Sequence, residues 1–217
     1  MRVLRTVWLL ALAAGSAFIT LGSLEYFGVD LPPFVIEKLP LPWEQVWLSA
    51  LKVHVVAAAF ALPGCLLLMS KTVLVCAPRL HRWAGRATAA VLLLALVPSG
   101  SYLALFAKGG APATAGFLLS GAIAAAAMLQ AVREARARRF AAHRRFVLHV
   151  LAQLSVAVTS RAMLYAFDAL ASDPGRAYLI ALWLPVLASA LAVELICWRN
   201  HGLPSRPAFG RLRSASA

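Results

Sequence analysis

Five side chains in this sequence are candidates to bind a ligand or carry charge where their surroundings make charge costly: His54, His81, His143, His149 and Arg161. Each lies within or at the head of a long apolar stretch. An ionisable group inside a membrane costs roughly 3 kcal/mol unless it is paired or put to use. His54 falls about eight residues inside the outer edge of its apolar stretch, roughly 12 Å deep on a helix. Its helical face carries Ala50, Ala57, Ala58 and Ala61, small enough for close helix packing or for a flat ring beside the imidazole. Arg161 reaches a similar depth in its own stretch. A histidine and an arginine at one level suit an anion, a quinone carbonyl or a haem propionate. The plainer account is an Arg161 bonded to carbonyls and a His54 bonded to a neighbouring helix.

A second group gathers at the opposite end. His81-Arg82-Trp83-Ala84-Gly85-Arg86 opens one stretch and His143-Arg144-Arg145-Phe146 opens another. His149 lies six residues beyond His143, and Gln153 one turn further. Neutral imidazole ligates metals and haem iron when a partner stands at the same depth on a facing helix. His81 with His143 or His149 meets that condition, so these three are the candidate metal ligands. His54 is sixteen residues from Ser70, roughly 24 Å along a helix, and cannot join them. A two-haem arrangement needs two ligands per level, and the level of His54 offers only Met163 besides.

The elements that position these groups follow from composition. The 217 residues are 62% apolar and 13% charged, with mean hydropathy +0.79. A typical globular chain is about 45–50% apolar and about 25% charged. That excludes a soluble domain and a disordered chain together. Six stretches, about 7–24, 46–69, 84–107, 113–132, 146–167 and 177–198, each match the roughly 20 residues of a membrane span. Leu92-Leu93-Leu94-Ala95-Leu96-Val97 is apolar on every face, so barrel strands are excluded and helices are required. The expected fold is all-α, a polytopic bundle of six transmembrane spans forming one integral membrane domain over 1–217. Pro63-Gly64, Pro98-Ser99-Gly100 and Pro185 are expected to interrupt spans two, three and six.

Charge sets the expected orientation. Sixteen of the 21 basic residues fall before span one, between spans two and three, between four and five, or after six. Six of the eight acids (Glu25, Asp30, Glu37, Glu44, Asp168, Asp173) fall on the other side. By the positive-inside rule both termini, including the tail 199–217, are cytoplasmic. The first span runs to Leu24, longer than a signal-peptide core, and reads as a retained anchor. The proline-bearing segment 25–45 is external and suited to cap the outer mouth. The same accounting absorbs the net charge of +13 as topology signal and lipid contact, so no nucleic-acid partner is expected. Cys65, Cys76 and Cys197 lie on the inner side, where thiols stay reduced, and no Cys-x-x-Cys, phosphate loop or His-Glu-x-x-His occurs.

The order His54; His81, Arg82, Gly85 and Arg86; Pro98 to Gly100; His143, Arg144, Arg145 and Phe146; then Arg161 resembles a bacterial family of predicted membrane proteins, domain of unknown function 2306. The resemblance covers about residues 50–170, spans two to five. It implies a helical membrane domain whose shared site is these histidines and arginines, and it implies no reaction. Thr88 stands where that family often has tyrosine, and His149 where it commonly has arginine. Spans one and six fall outside the resemblance and are expected to serve packing or a membrane-protein partner.

The leading expectation is therefore a small redox or cofactor-binding protein of the bacterial inner membrane. His54, His81, His143, His149 and Arg161 would bind haem b or a quinone, supported by Arg82, Gly85, Arg86, Arg144, Arg145 and Gln153. The alternatives are a non-catalytic accessory or assembly subunit of a larger membrane complex, and a small-anion transporter, although a transporter usually shows a repeat and none is found. Lys52 and Glu194 are expected to reach the nearer membrane surface with their long side chains.

Overall fold

The computed structural model describes residues 2–28, 30, 32–41 and 43–201; Pro42 and the tail residues 202–217, with Arg206, Arg211 and Arg213, lie outside the described residues. So do the side chains of Arg2 and Arg5. Six helical segments are long and apolar enough to cross a bilayer: Thr6–Phe27, Glu44–Leu68, Pro78–Ala104, Gly110–Arg136, Phe140–Ala169 and Pro174–Arg199. Each contains one of the six stretches read from composition, apart from one to three residues at some inner or outer ends. An even number of spans brings residues 2 and 201 to the same end of the bundle, called the inner end below.

In element terms the chain runs α1 (Arg2–Gly22), a 3₁₀ turn (Ser23–Phe27), α2 (Pro33–Ile36), α3 (Glu44–Leu68), α4 (Lys71–Cys76) and α5 (Pro78–Val91). A π segment (Leu92–Leu96) and α6 (Val97–Ala104) complete the third span, followed by α7 (Gly110–Arg136), α8 (Phe140–Ala169) and α9 (Pro174–His201). Turn chemistry sets the boundaries. Ser70 caps α4 through Val73 N–H, Pro78 takes the first turn of α5, and Gly109 and Gly110 turn at φ +96° and +65° before α7. Asp173 accepts the Arg176 N–H at 2.7 Å where α9 begins.

The expected interruptions occur at one position of three. Pro63 sits inside a continuous α3 and Pro185 inside a continuous α9. Span one ends in the 3₁₀ turn, and only the third span departs from α geometry in its interior. Pro98 has no N–H to offer the Leu94 carbonyl, and upstream of it Val97 N–H reaches five residues back to Leu92. The π segment rotates everything beyond it, including Ser99 and Gly100.

Lipid tails are as apolar as leucine, so helices here are held by close packing rather than by escape from water. The central core joins Leu12, Ala57, Ala61, Leu62, Cys65, Ala89, Leu92, Leu96, Ala127, Met128, Val150 and Leu151 from α1, α3, α5, the π segment, α7 and α8. Glycines mark the tightest crossings. A Cβ on Gly64 would stand 2.6 Å from Thr88 Oγ1, and one on Gly116 would stand 2.8 Å from Leu182. The α8 helix packs against α7, α9, α3 and α1, while α1 and α9 hold the flanks.

The segment between α1 and α3 folds down over the outer end. Val35 is fully buried against Trp47 and Leu51, with Tyr26, Leu39, Leu41, Tyr102 and Phe106 around them. Lys38 Nζ donates to the Phe106 carbonyl, and an exposed Lys108–Glu37 pair closes the rim at 3.3 Å. Burial and the neighbouring Lys108 charge hold the Lys38 ammonium below the usual lysine range.

Candidate functional site

The outer group is built from four helices. His54, two turns below Trp47 on the same face of α3, lies against α6. A Cβ on Gly100 would stand 2.9 Å from His54 Cε1 and 3.1 Å from Nδ1, so only glycine lets the ring occupy that position. Ser99 Oγ is 3.4 Å from His54 Nδ1 and itself donates to the Ala95 carbonyl at 2.6 Å. With its proton committed there, the hydroxyl can only accept from the imidazole, which assigns the proton to Nδ1. Ser99 and Gly100 follow shortly after the π segment and face His54.

Arg161 on α8 and Tyr178 on α9 complete the level. Arg161 is close enough to interact electrostatically with both His54 and Tyr178. Its guanidinium is exposed on the bundle surface, and Nη1 donates to the Ala157 carbonyl of its own helix at 2.9 Å. Among the described residues no carboxylate pairs with it.

At the inner end the three candidate histidines of the sequence separate into two places. His81 on α5 and His143 on α8 lie within electrostatic reach of one another, with Arg82 beside them. His143 Nδ1 is 2.8 Å from the Ala131 carbonyl, which makes Nδ1 the protonated nitrogen and leaves Nε2 its lone pair. His81 Nδ1 is buried with no hydrogen-bond partner. His149 turns instead to α9, where Nε2 is 2.6 Å from Glu194 Oε1. Arg145 reaches the other oxygen of the same carboxylate at 2.5 Å. Among the described residues no three metal-ligating side chains of the histidine, cysteine or acidic types gather at one point.

The supporting residues are distributed as follows. Gln153 is buried at the centre of a three-helix node: it accepts from Ser120 Oγ at 2.9 Å and donates to the Val186 carbonyl and towards Ser189. Arg86 lies over the Trp83 ring at 5.4 Å. Arg144 is exposed, as are Arg82 and Arg86. A Cβ on Gly85 would meet only Leu68, at 3.9 Å, so no close approach requires this glycine. Lys52 is exposed on the side of α3.

Two participants escaped the sequence reading. Glu194 was assigned to the membrane surface, whereas it binds Arg145 and His149 across the α8–α9 seam. The available signal was a single acid at the inner end of span six, opposite the basic start of span five. Tyr178 carried no signal, because an aromatic near a span end is ordinary interface composition.

These residues fall within a matched family. The family described as predicted membrane protein (DUF2306) matches residues 51–197, two thirds of the chain, and the chain belongs to it. The match reaches Cys197, so nearly all of span six lies inside the family region, and residues 1–50, with span one, and residues 198–217 stand outside it. Comparison with curated proteins and with solved structures returned no match.

Proposed function

We propose that this chain binds an oxygen-bearing membrane ligand of the quinone class at the outer level, between His54 and Arg161. Arg161 carries the reading. It is a guanidinium within a span, without an acid among the described residues, beside a histidine that lies against Ser99 and Gly100. Intramembrane arginines pair with other charged groups or with backbone carbonyls, as Arg161 does with Ala157, and mark ligand pathways. Arg161 faces the bundle surface, so a ligand dissolved in the bilayer reaches it laterally. Its donors and the imidazole then suit carbonyl oxygens. In this reading the protein sits in the bacterial inner membrane with its inner end in the cytoplasm, as the distribution of basic residues supports. The flanking helices α1 and α9 are the surfaces left for a membrane partner.

The test is decyl-ubiquinone binding to detergent-purified protein, with wild type beside His54→Ala and Arg161→Gln. Saturable binding weakened tenfold or more in both variants is expected. Wild type that does not bind, or variants that bind equally well, would overturn the reading.

A second reading is favoured by the His143 ring, whose Nδ1–H is held by a backbone carbonyl as haem and metal ligands commonly are. With His81 in reach it suits haem b at the inner level. A reduced-minus-oxidised spectrum after haem supplementation tests this. A haem b signal lost in His81→Ala and His143→Ala supports it, and a flat wild-type spectrum removes it.

A further inference from the structure

The ligand readings make no use of the arginines at the turn between α7 and α8. Residues 133–145 carry six arginines and one acid, Glu134. Two of the six are held in the same way. Arg139 donates from Nε and Nη2 to the two oxygens of Glu134 at 2.5 and 2.8 Å. Arg145 donates from Nε and Nη2 to the two oxygens of Glu194 at 3.3 and 2.5 Å. A guanidinium carries five N–H donors in a planar fork. Each pair uses the Nε–Nη2 edge and leaves the Nη1 donors without an acceptor among the described residues. Glu134 is 12% exposed and Arg139 68%, so the carboxylate lies inward of a guanidinium that presents its unused donors to the surroundings. Membrane orientation needs positive charge at this end but no fixed guanidinium geometry.

Arg139 and Arg145 line one cleft of about 430 Å³, whose other walls are Phe140, Ala141, Ala142 and Phe146. Two oriented cations therefore share a cleft with two aromatic rings. The cleft lies where the spans Gly110–Arg136 and Phe140–Ala169 end on the inner side, the depth of phospholipid headgroups. Arg133, Arg136, Arg138 and Arg144 are exposed and make no ion pair among the described residues, so the potential around the cleft stays positive. Charge and shape together select the occupant. An arginine edge takes a phosphate through parallel N–H bonds. Six residues separate the two arginines, roughly 9 Å along a helix, which suits two linked phosphates better than one. Apolar walls suit the glycerol and the first methylenes of acyl chains, from which a soluble anion would gain nothing.

We propose that this cleft binds the headgroup of an anionic diphosphatidyl lipid, in which one glycerol joins two phosphates. One phosphate takes the Nη1 side of Arg139 and the other that of Arg145, with Phe140 and Phe146 against the apolar part of the lipid. Glu134 and Glu194 are positioning residues, each holding its arginine by the opposite edge. Glu134 belongs to α7 and Glu194 to α9, so a lipid on the two arginines ties the inner ends of α7, α8 and α9 together. The site uses no residue of the His54–Arg161 level and holds whether or not a quinone binds there.

The experiment is native mass spectrometry of the delipidated full chain, titrated with tetraoleoyl diphosphatidylglycerol or, at equal phosphate, with dioleoyl phosphatidylglycerol. Wild type is compared with Arg139→Gln, Arg145→Gln and, as an equal loss of charge outside the cleft, Arg79→Gln. The expected result is one diphosphatidyl lipid held about tenfold more tightly than the single-phosphate lipid. Either cleft variant should weaken it about tenfold, and Arg79→Gln less than about twofold. Arg139→Lys and Arg145→Lys keep the charge and a partner for each carboxylate but replace the fork with a compact ammonium, so binding about threefold weaker is expected in a folded chain. These two variants carry the test if Arg145→Gln unfolds. Equal affinity for the two lipids, equal weakening by Arg79→Gln and Arg139→Gln, unchanged binding in both lysine variants, or displacement of the lipid by millimolar inorganic phosphate would each overturn the proposal.

Discussion

The outer and inner ends of α8 solve the same electrostatic problem in opposite ways. At the inner end Arg145 meets a carboxylate, and His149 shares it. At the outer end Arg161 bonds the Ala157 carbonyl of its own helix and, among the described residues, pairs with no carboxylate, with His54 and Tyr178 within electrostatic reach. The inner charges are balanced by the protein itself, so removing a partner should damage the fold. The outer charge is left for something outside the chain, so removing it should damage binding and leave the fold intact. A cation without its acid is thus more informative about ligands than a well-made ion pair.

Four variants break or sharpen that contrast. Glu194→Ala should have the largest effect, about 2 kcal/mol of stability, because charge-assisted bonds are lost while Arg145 and His149 stay. Half-exposure of the pair keeps the loss below that of a fully buried one. Thermal unfolding checks it, and adding Arg145→Ala should recover part of the loss; equal stability of Glu194→Ala and wild type would erase the contrast. Next comes Arg161→Gln, expected to weaken decyl-ubiquinone binding about tenfold, or about 1.4 kcal/mol, with the unfolding temperature unchanged. A large drop in that temperature would instead make Arg161 a structural residue.

Gly100→Ala ranks third. Its methyl would stand 2.9 Å from His54 Cε1, so the ring must move, at about 1 kcal/mol and with weaker ligand binding. Unaltered binding in a folded Gly100→Ala protein would detach His54 from the ligand. Lys108→Ala should do least. The Glu37 pair is 70% and 62% exposed, and loss of less than about 0.5 kcal/mol is expected in the same unfolding measurement. A larger loss would mean that the outer cap is pinned by that pair rather than by Val35 and Trp47.

The way the sequence anticipated these sites follows a physical pattern. His54 and Arg161 were legible at one level because depth on a helix is simple arithmetic, 1.5 Å per residue. The rotation of each side chain about its axis was not legible, and it sent His149 to α9 and His143 to α7. Gly85, central to the motif, has ordinary space around it, whereas Gly100, in the Pro-Ser-Gly stretch, lies against the histidine. Three proline positions looked alike in the sequence. Pro63 and Pro185 were absorbed into continuous helices, while the helix ahead of Pro98 widened into a π segment. Which proline bends its helix depends on whether neighbouring helices satisfy the freed carbonyl, and that is a tertiary property.

The sequence by itself determined six apolar spans, their boundaries within a few residues, the gathering of basic residues at one end, and which residues carry charge at depth. Those features depend on transfer of side chains between water and lipid, a quantity each residue brings with it. Only the tertiary structure decided the partners: Glu194 with Arg145 and His149, His54 with Ser99 and Gly100, Arg161 with no acid. Pairing depends on helix rotation and crossing, which are fixed by packing between distant parts of the chain.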